Sequence, residues 1–263
     1  MKSIQRLGIL IISLLMVLIP FESFAEINKI TSMSSAINKA GRQRMLSQRI
    51  VATYCQVGMD IKSVKSKKEL KKAVRLFDEQ LAALKAYRPT GQIHHQLNLV
   101  TEYWEPMKAV ALGPISREKA TQLWDMADDV LRASHRAVIM LQDESASQSG
   151  RLVNVSGRQR MLSQRMSNLY MLQSWGFGSS EYSSAYSQAI NEFKGALGEL
   201  RQSPLNTSVI DKQLQKARKQ FAMLERSLIQ KDGEFIPLMV TLSADKLLVI
   251  MNDITHLYEK LES

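Results

Sequence analysis

Apolar residues recur every three to four positions along most of this chain, which is the spacing of one face of an α-helix. Val74, Phe77, Leu81 and Leu84 show this spacing in one segment. Apolar and polar residues do not alternate over a stretch long enough to indicate a strand. We predict eight helices, over residues 28–60, 67–87, 92–112, 117–146, 150–175, 180–201, 207–230 and 235–261. The expected fold class is therefore all-α.

A nine-residue segment occurs twice, at residues 41–49 and 157–165, with an offset of 116 positions. An identity of this length indicates the tandem duplication of a structural unit. The apolar stripe of the second helix is repeated as well, because Phe77 is matched by Phe193 at the same offset. The chain is thus predicted to form two tandem up-and-down four-helix bundles, over residues 26–146 and 147–263.

The junction between the two repeats, residues 144–151, contains no proline and only one glycine, Gly150. These residue types are the usual breakers of a helix. The last helix of the first repeat is therefore predicted to continue into the first helix of the second repeat as a single rod.

The first 25 residues have the pattern of a secretory signal peptide. Lys2 and Arg6 precede an apolar run over residues 7–19, and small residues lie before a predicted cleavage site after Ala25. The run is shorter than the roughly 20 residues that a membrane-spanning helix needs. We expect a periplasmic protein, and the alternative is an uncleaved signal that anchors the chain in the membrane.

The formal net charge is +10, which is typical of proteins that bind nucleic acid, an anionic surface or an acidic partner. Predicted export argues against nucleic acid. Cys55 is the only cysteine, so no internal disulfide is expected. The sequence has no recognisable hydrolase, metalloprotease, nucleotide-binding or haem motif, and His135 and His256 do not align between the repeats. We predict a protein with no catalytic residues, metal site or cofactor, and therefore no enzyme.

The duplicated segment places polar side chains on an apolar helix stripe. Arg44 and Gln48 lie in the middle of the stripe of the first helix, and Arg160 and Gln164 repeat the arrangement. A guanidinium is permanently charged and offers five donors, and its burial without a partner is costly. Each of these two arginines therefore needs a carboxylate, a cluster of carbonyl oxygens or a bound anion. The alternative to an anion site is an internal ion pair or a solvated cleft.

The repeated acidic residues Asp128 and Asp245 lie off the inner stripes of the fourth helices. We expect them to be solvated, and a lesser alternative makes them partners of the arginines. Arg42 and Arg49 lie on the flank of the first stripe, where water or a neighbouring helix could receive them.

The residues from Ile37 to Gly41, followed by Arg44-Met45, Ser47 and Arg49, resemble the P-box of the periplasmic nitrate/nitrite sensor kinases of the NarX type. They are also similar to the N-terminal domain of the PilJ-type pilus chemotaxis transducer. The resemblance implies that each repeat is one helical sensor module. It also implies that Arg44 grips an anion at a dimer interface together with its symmetry mate, with Lys39 and Gly41 beside it. In the second repeat Arg160 and Gly157 match, whereas Val155 stands where Lys39 stands.

Together these observations predict an exported, non-enzymatic sensor that binds a small anion, with nitrate or nitrite first. The ligand-binding candidates are Arg44, Arg160, Lys39, Gly41, Gly157, Gln48 and Gln164. Because the chain is duplicated, we hypothesise that Arg44 and Arg160 meet within one chain and replace the symmetric pair of a dimer. The bound state would be relayed to a membrane receptor or another periplasmic protein, and a homodimer is left open. The alternative is a structural or adaptor protein whose arginine segments form helix–helix or dimer contacts.

Overall fold

The computed structural model describes residues 30–87, 90–228 and 235–262, so the predicted signal peptide lies outside the described residues. The described residues form helices and connecting turns without strands, which confirms the all-α prediction. The eight α-helices are α1 (Met33–Gly58), α2 (Ser63–Tyr87), α3 (Gly91–Leu112), α4 (Arg117–Ser145), α5 (Gln148–Ser174), α6 (Ser180–Arg201), α7 (Ser208–Leu228) and α8 (Pro237–Glu259). A short 3₁₀ turn, Lys260–Glu262, follows α8. Among the described helices, none is both long enough and apolar enough to cross a membrane.

Serine and threonine side chains mark the starts of most helices. Ser32, Ser116, Ser147 and Ser179 each accept a hydrogen bond from a backbone N–H three residues further on, and Thr90 does the same. Such caps satisfy donors that the first helical turn leaves free. Local sequence therefore sets where these helices begin.

The two helices that carry the duplicated segment, α1 and α5, form the centre of the molecule. They pack along each other, α2 and α4 pack against α1, and α6 and α8 pack against α5. The buried apolar side chains of both repeats form one continuous core. The two four-helix bundles are thus joined along their first helices.

Aromatic pairs repeat the same packing in each bundle. Phe77 stacks on Trp104 with ring centroids 3.8 Å apart, and Phe193 stacks on Phe221 with centroids 4.3 Å apart. Stacked rings add to the burial of apolar area. The structural correspondence of the two pairs supports the tandem duplication predicted from the sequence.

The chain reverses direction at Ala146, and the prediction of a continuous rod is wrong. Ala146 adopts a left-handed conformation with φ 48° and ψ 22°, which ends α4, and Ser147 caps α5. The reversal places α5 parallel to α1, because Gly41 lies beside Arg160 and, further along, Gln48 lies beside Asn168. A rod would have carried α5 away from α1, and the burial between them would be lost.

Candidate functional site

The structure brings Arg44 and Arg160 together where α1 and α5 approach each other. A Cβ atom built on Gly41 would lie 3.3 Å from Nη2 of Arg44 and 3.4 Å from Nη2 of Arg160. A Cβ on Gly157 would lie 3.1 Å from Nη2 of Arg160 and 3.7 Å from Nη2 of Arg44. The two glycines therefore leave room for both guanidinium groups against the helix backbones.

The guanidinium of Arg44 donates only to uncharged groups. Its Nη1 donates to Nδ1 of His135 on α4 at 3.0 Å. Its Nη2 donates to Oδ1 of Asn154 at 2.9 Å and to the backbone carbonyl of the same residue at 3.3 Å. Asn154 lies on α5, so the contact joins the two repeats.

Arg160 makes the corresponding contacts from the second repeat. Its Nη1 donates to Oδ1 of Asn252 on α8 at 3.0 Å, and its Nη2 donates to the backbone carbonyl of Asn38 on α1 at 3.2 Å. Nε of Arg160 and Nε of Arg44 are buried and make no hydrogen bond to any described residue. Each guanidinium thus has one N–H group, at Nε, that donates to no described residue.

Burial makes the charge of both arginines costly. Arg44 is 1% exposed and Arg160 is fully buried. Burial, and then the charge of Arg158, lowers the pKa of Arg44 to about 9. Burial, followed by the charges of Arg42 and Arg44, lowers the pKa of Arg160 well below its usual value. Within the described residues no carboxylate pairs with either guanidinium, so the internal ion pair considered from the sequence is not formed.

The repeated aspartates pair with the flanking arginines and are not simply solvated. Oδ1 of Asp245 accepts from Nη1 of Arg49 at 2.7 Å, and Oδ1 of Asp128 accepts from Nη1 of Arg165 at 2.8 Å. Each pair joins a first helix to the fourth helix of the other repeat. The lesser alternative, that the aspartates serve as arginine partners, therefore holds for the flanking arginines. Its extension to the buried pair is wrong.

The candidate glutamines lie between the two central helices, one turn beyond the arginine pair. Oε1 of Gln48 accepts from Nδ2 of Asn168 at 2.8 Å and from Nη1 of Arg165 at 3.4 Å. Oε1 of Gln164 accepts from Nη1 of Arg49 at 3.2 Å, whereas its buried Nε2 makes no bond to a described residue. Both glutamines tie α1 to α5.

Lys39 is partly buried beside the second bundle. Burial lowers its pKa, the charge of Arg42 lowers it further, and Glu259 acts in the opposite direction. Val155 stands at the equivalent place in α5. Position 39 of the first repeat therefore carries a charge that the equivalent position 155 lacks.

The residues that accept hydrogen bonds from the arginine pair were not among the candidates from the sequence, and two of them show how they could have been found. His135 and Asn252 occupy equivalent positions in α4 and α8 at an offset of 117, and each accepts a bond from the buried arginine of its own repeat. Because His135 does not align with His256, the other histidine of a fourth helix, its correspondence with Asn252 was not predicted. The correspondence of positions 135 and 252 could have been found from the sequence, because Asp128 and Asp245 show that the fourth helices correspond at the offset of 117.

We expect His135 to make the protein less stable in mild acid. Burial, then the charges of Arg44 and Arg158, lowers the pKa of His135 to about 4, although Glu192 partly opposes them. Between its ordinary value of 6.5 and about 4, the unfolded chain binds the proton and the folded chain does not. Stability contributed by neutral His135 is therefore complete above pH ~6.5 and is lost as the pH falls towards ~4.

The variant His135→Asn, which installs the residue type of position 252, removes this titration. After allowance for the solvent-facing side of the ring, we expect the wild type to lose about 1 kcal/mol more than the variant between pH 7 and 4.5. Urea unfolding at both pH values measures the difference. Equal losses in the two proteins would contradict the expectation.

The family comparison covers most of the chain. Residues 27–130 and 143–233 match the family model PilJ, described as "Type IV pili methyl-accepting chemotaxis transducer N-term". Two matched segments agree with two copies of one module. No curated protein and no solved structure matches this chain. Among the described residues, no group of three or more histidine, cysteine or carboxylate side chains is placed to hold a metal ion.

Proposed function

We propose a function for this chain on the premise that it belongs to the PilJ family of type IV pili methyl-accepting chemotaxis transducer N-terminal modules. The chain is an exported sensor module without catalysis of its own. It binds one small oxyanion, nitrate or nitrite first, between Arg44 and Arg160. The two repeats provide within one chain the pair of arginines that the NarX-type resemblance places at a dimer interface.

The observation that carries the proposal is the pair of buried, adjacent guanidinium groups without a carboxylate. Two like charges that lie close together repel each other, and this repulsion is stronger in a medium of low polarity. Each charged guanidinium therefore makes the burial of the other less favourable. A bound anion removes this cost and accepts charge-assisted hydrogen bonds, which are about twice as strong as neutral ones. The Nε–H groups of Arg44 and Arg160 donate to no described residue, so a bound anion can accept hydrogen bonds from them.

A surface cleft leads towards Arg44. It lies between α4, α5 and α6, has a volume of about 450 Å³, and is lined in part by His135 and Asn154. Both of these residues accept hydrogen bonds from Arg44. An anion that enters the cleft can therefore reach the guanidinium by displacing one neutral acceptor.

Ligand binding would be transmitted through the central helices. Arg44 belongs to α1 and Arg160 to α5, and each donates to the helix of the other. An anion held by both arginines alters the contacts across α1 and α5 at once. Shifts of about 1–2 Å between packed helices are a known form of such output. The shift would then be read by a membrane receptor or another periplasmic protein.

The proposal predicts an anion-selective stabilisation of the protein. At about 100 times the dissociation constant, a ligand of the folded state adds about 2.7 kcal/mol. For a chain of this size that corresponds to roughly 5–10 °C in the unfolding temperature. Thermal unfolding in nitrate, nitrite, sulfate and chloride at equal ionic strength measures the effect. Equal small shifts in all four salts would contradict the proposal and favour the adaptor alternative.

A further inference from the structure

The second bundle exposes an apolar surface that its fold does not require. Leu238, Met239, Leu242 and Val249 follow one face of α8. Met239 is 56% exposed and Val249 is 60% exposed. Met223 of α7, which is also exposed, lies beside this face. Met223, Met239 and Leu242 lie side by side in one groove, and neighbouring exposed apolar side chains of this kind are typical of a binding site.

The first bundle provides an internal comparison. At the offset of 117, the four residues of the α8 face correspond to polar or charged residues of α4, which are Thr121, Gln122, Asp125 and Arg132. Both helices bury an equivalent inner face, including Ala127 and Ala244. The bundle is therefore built equally well with a polar outer face. The packing of the second bundle therefore does not explain why the outer face of α8 is apolar.

The apolar face borders a groove between α7 and α8. The groove has a volume of about 370 Å³, and Met223, Met239 and Leu242 line it together with Arg226 and Lys246. A groove between two helices with an apolar floor is a common seat for the apolar face of a third helix.

The two charged residues that line the groove, Arg226 and Lys246, are both basic. Arg226 and Lys246 are exposed, and neither forms an ion pair with a described carboxylate. On the other side of Leu242, a smaller cavity is bordered by Lys62 and Lys65. The carboxylates of that cavity, Asp245 and Glu69, are already paired with Arg49. The groove thus combines an apolar floor with a basic rim.

We propose that the α7–α8 groove binds an amphipathic helix of a partner protein that carries apolar residues on one face and Asp or Glu beside them. The basic residues at the rim of the groove favour acidic residues on the flanks of the partner helix. The apolar floor of the groove contacts apolar side chains of that helix at positions i, i+3 or i+4, and i+7. A second copy of this chain would bring like charges together. A lipid surface needs no groove. The proposal goes beyond the anion site and does not depend on it.

A synthetic peptide tests the proposal directly. The probe is a fluorescein-labelled helical peptide of about 20 residues with leucine at the helix-in-groove positions and glutamate on both flanks. The full chain is titrated into the probe and fluorescence anisotropy is measured. We expect saturable binding that is at least ~10-fold tighter than that of a peptide with lysine in place of glutamate. A peptide with serine in place of leucine should not bind.

Matched variants locate the binding on the surface. Met239→Asp should weaken binding of the acidic peptide at least ~10-fold, because it places a charge on the floor and repels the flanks. Gln122→Asp, the same substitution at the equivalent position of α4, should leave binding unchanged. Lys246→Glu should weaken the acidic peptide and favour the lysine peptide. All three positions lie on the outer faces of their helices, so the core is preserved.

Other outcomes would overturn the proposal. No saturable binding, or an equal loss in Met239→Asp and Gln122→Asp, rejects the groove as the peptide site. A dimer in sedimentation experiments that Met239→Asp dissociates would identify a second copy as the occupant. Binding to phosphatidylglycerol vesicles that Met239→Asp abolishes, without peptide binding, would identify a lipid surface.

Discussion

The variant Arg160→Met is expected to lose anion binding and to be more stable than the wild type without ligand. Removal of one partner from a buried charge-assisted hydrogen bond costs about 2–5 kcal/mol in binding. The nitrate or nitrite affinity should therefore fall by about 30-fold or more. Isothermal titration calorimetry with each anion measures this loss, and Arg44→Met should show it as well.

The gain in stability follows from the missing carboxylate. Arg160 is a buried cation among neutral groups, and its charge lies close to that of Arg44. Methionine fills a similar volume without a charge. Oδ1 of Asn252 still accepts from Nη2 of Arg42 at 3.4 Å, so it keeps a partner. We expect a net gain of about 1–3 kcal/mol in the free energy of unfolding.

A surface arginine supplies the control for net charge. Arg75 is exposed on α2 and forms a 3.5 Å ion pair with Glu79. Arg75→Met should leave both anion affinity and stability nearly unchanged. If Arg160→Met instead destabilises the ligand-free protein and leaves anion affinity unchanged, the arginine pair is a structural element and the proposed function is wrong.

Much of the fold could be predicted because local signals and burial agree. The apolar stripe through Phe77 and its repeat through Phe193 are both buried, and serine caps lie where the helices start. The break at Ala146 could not be predicted in this way. Alanine favours a helix, and the left-handed turn is required only because α5 must return to pack beside α1. That requirement is a property of the tertiary structure.

The meeting of Arg44 and Arg160 could be predicted from the sequence, whereas their contacts with His135 and Asn252 were not predicted. Arg44 and Arg160 could be found because a charge on an apolar stripe is conspicuous, and duplication gave the hypothesis of their meeting. His135 and Asn252 differ in residue type and correspond only after the offset changes from 116 to 117. The stacked pairs locate this change between the second and third helices, because Phe77–Phe193 differ by 116 and Trp104–Phe221 by 117. An insertion outside the core thus obscured the match.

Separation of the two repeats is expected to abolish the stable monomer. We propose that residues 26–146 and 147–263 are repeats in sequence but do not fold independently. The face of α1 that packs on α5 includes buried residues such as Gln48, which pairs with Asn168. An isolated first repeat would expose this face, and the stability of such a protein depends on its association.

We expect residues 26–146 alone to form a homodimer through α1. Because α1 and α5 lie parallel with equivalent residues opposite each other, a second α1 can replace α5. Asn38 of that copy would offer Arg44 the acceptor that Asn154 supplies in the intact chain. Sedimentation equilibrium and circular dichroism measure the mass and the helix content. Mixing the two separately produced repeats should convert self-associated species into a 1:1 complex, since Nδ2 of Asn38 then donates again to Oε2 of Glu259, which the second repeat supplies. A fully helical monomer of either repeat at micromolar concentration would contradict this expectation and would show that the central helix pair is a contact between two independent bundles.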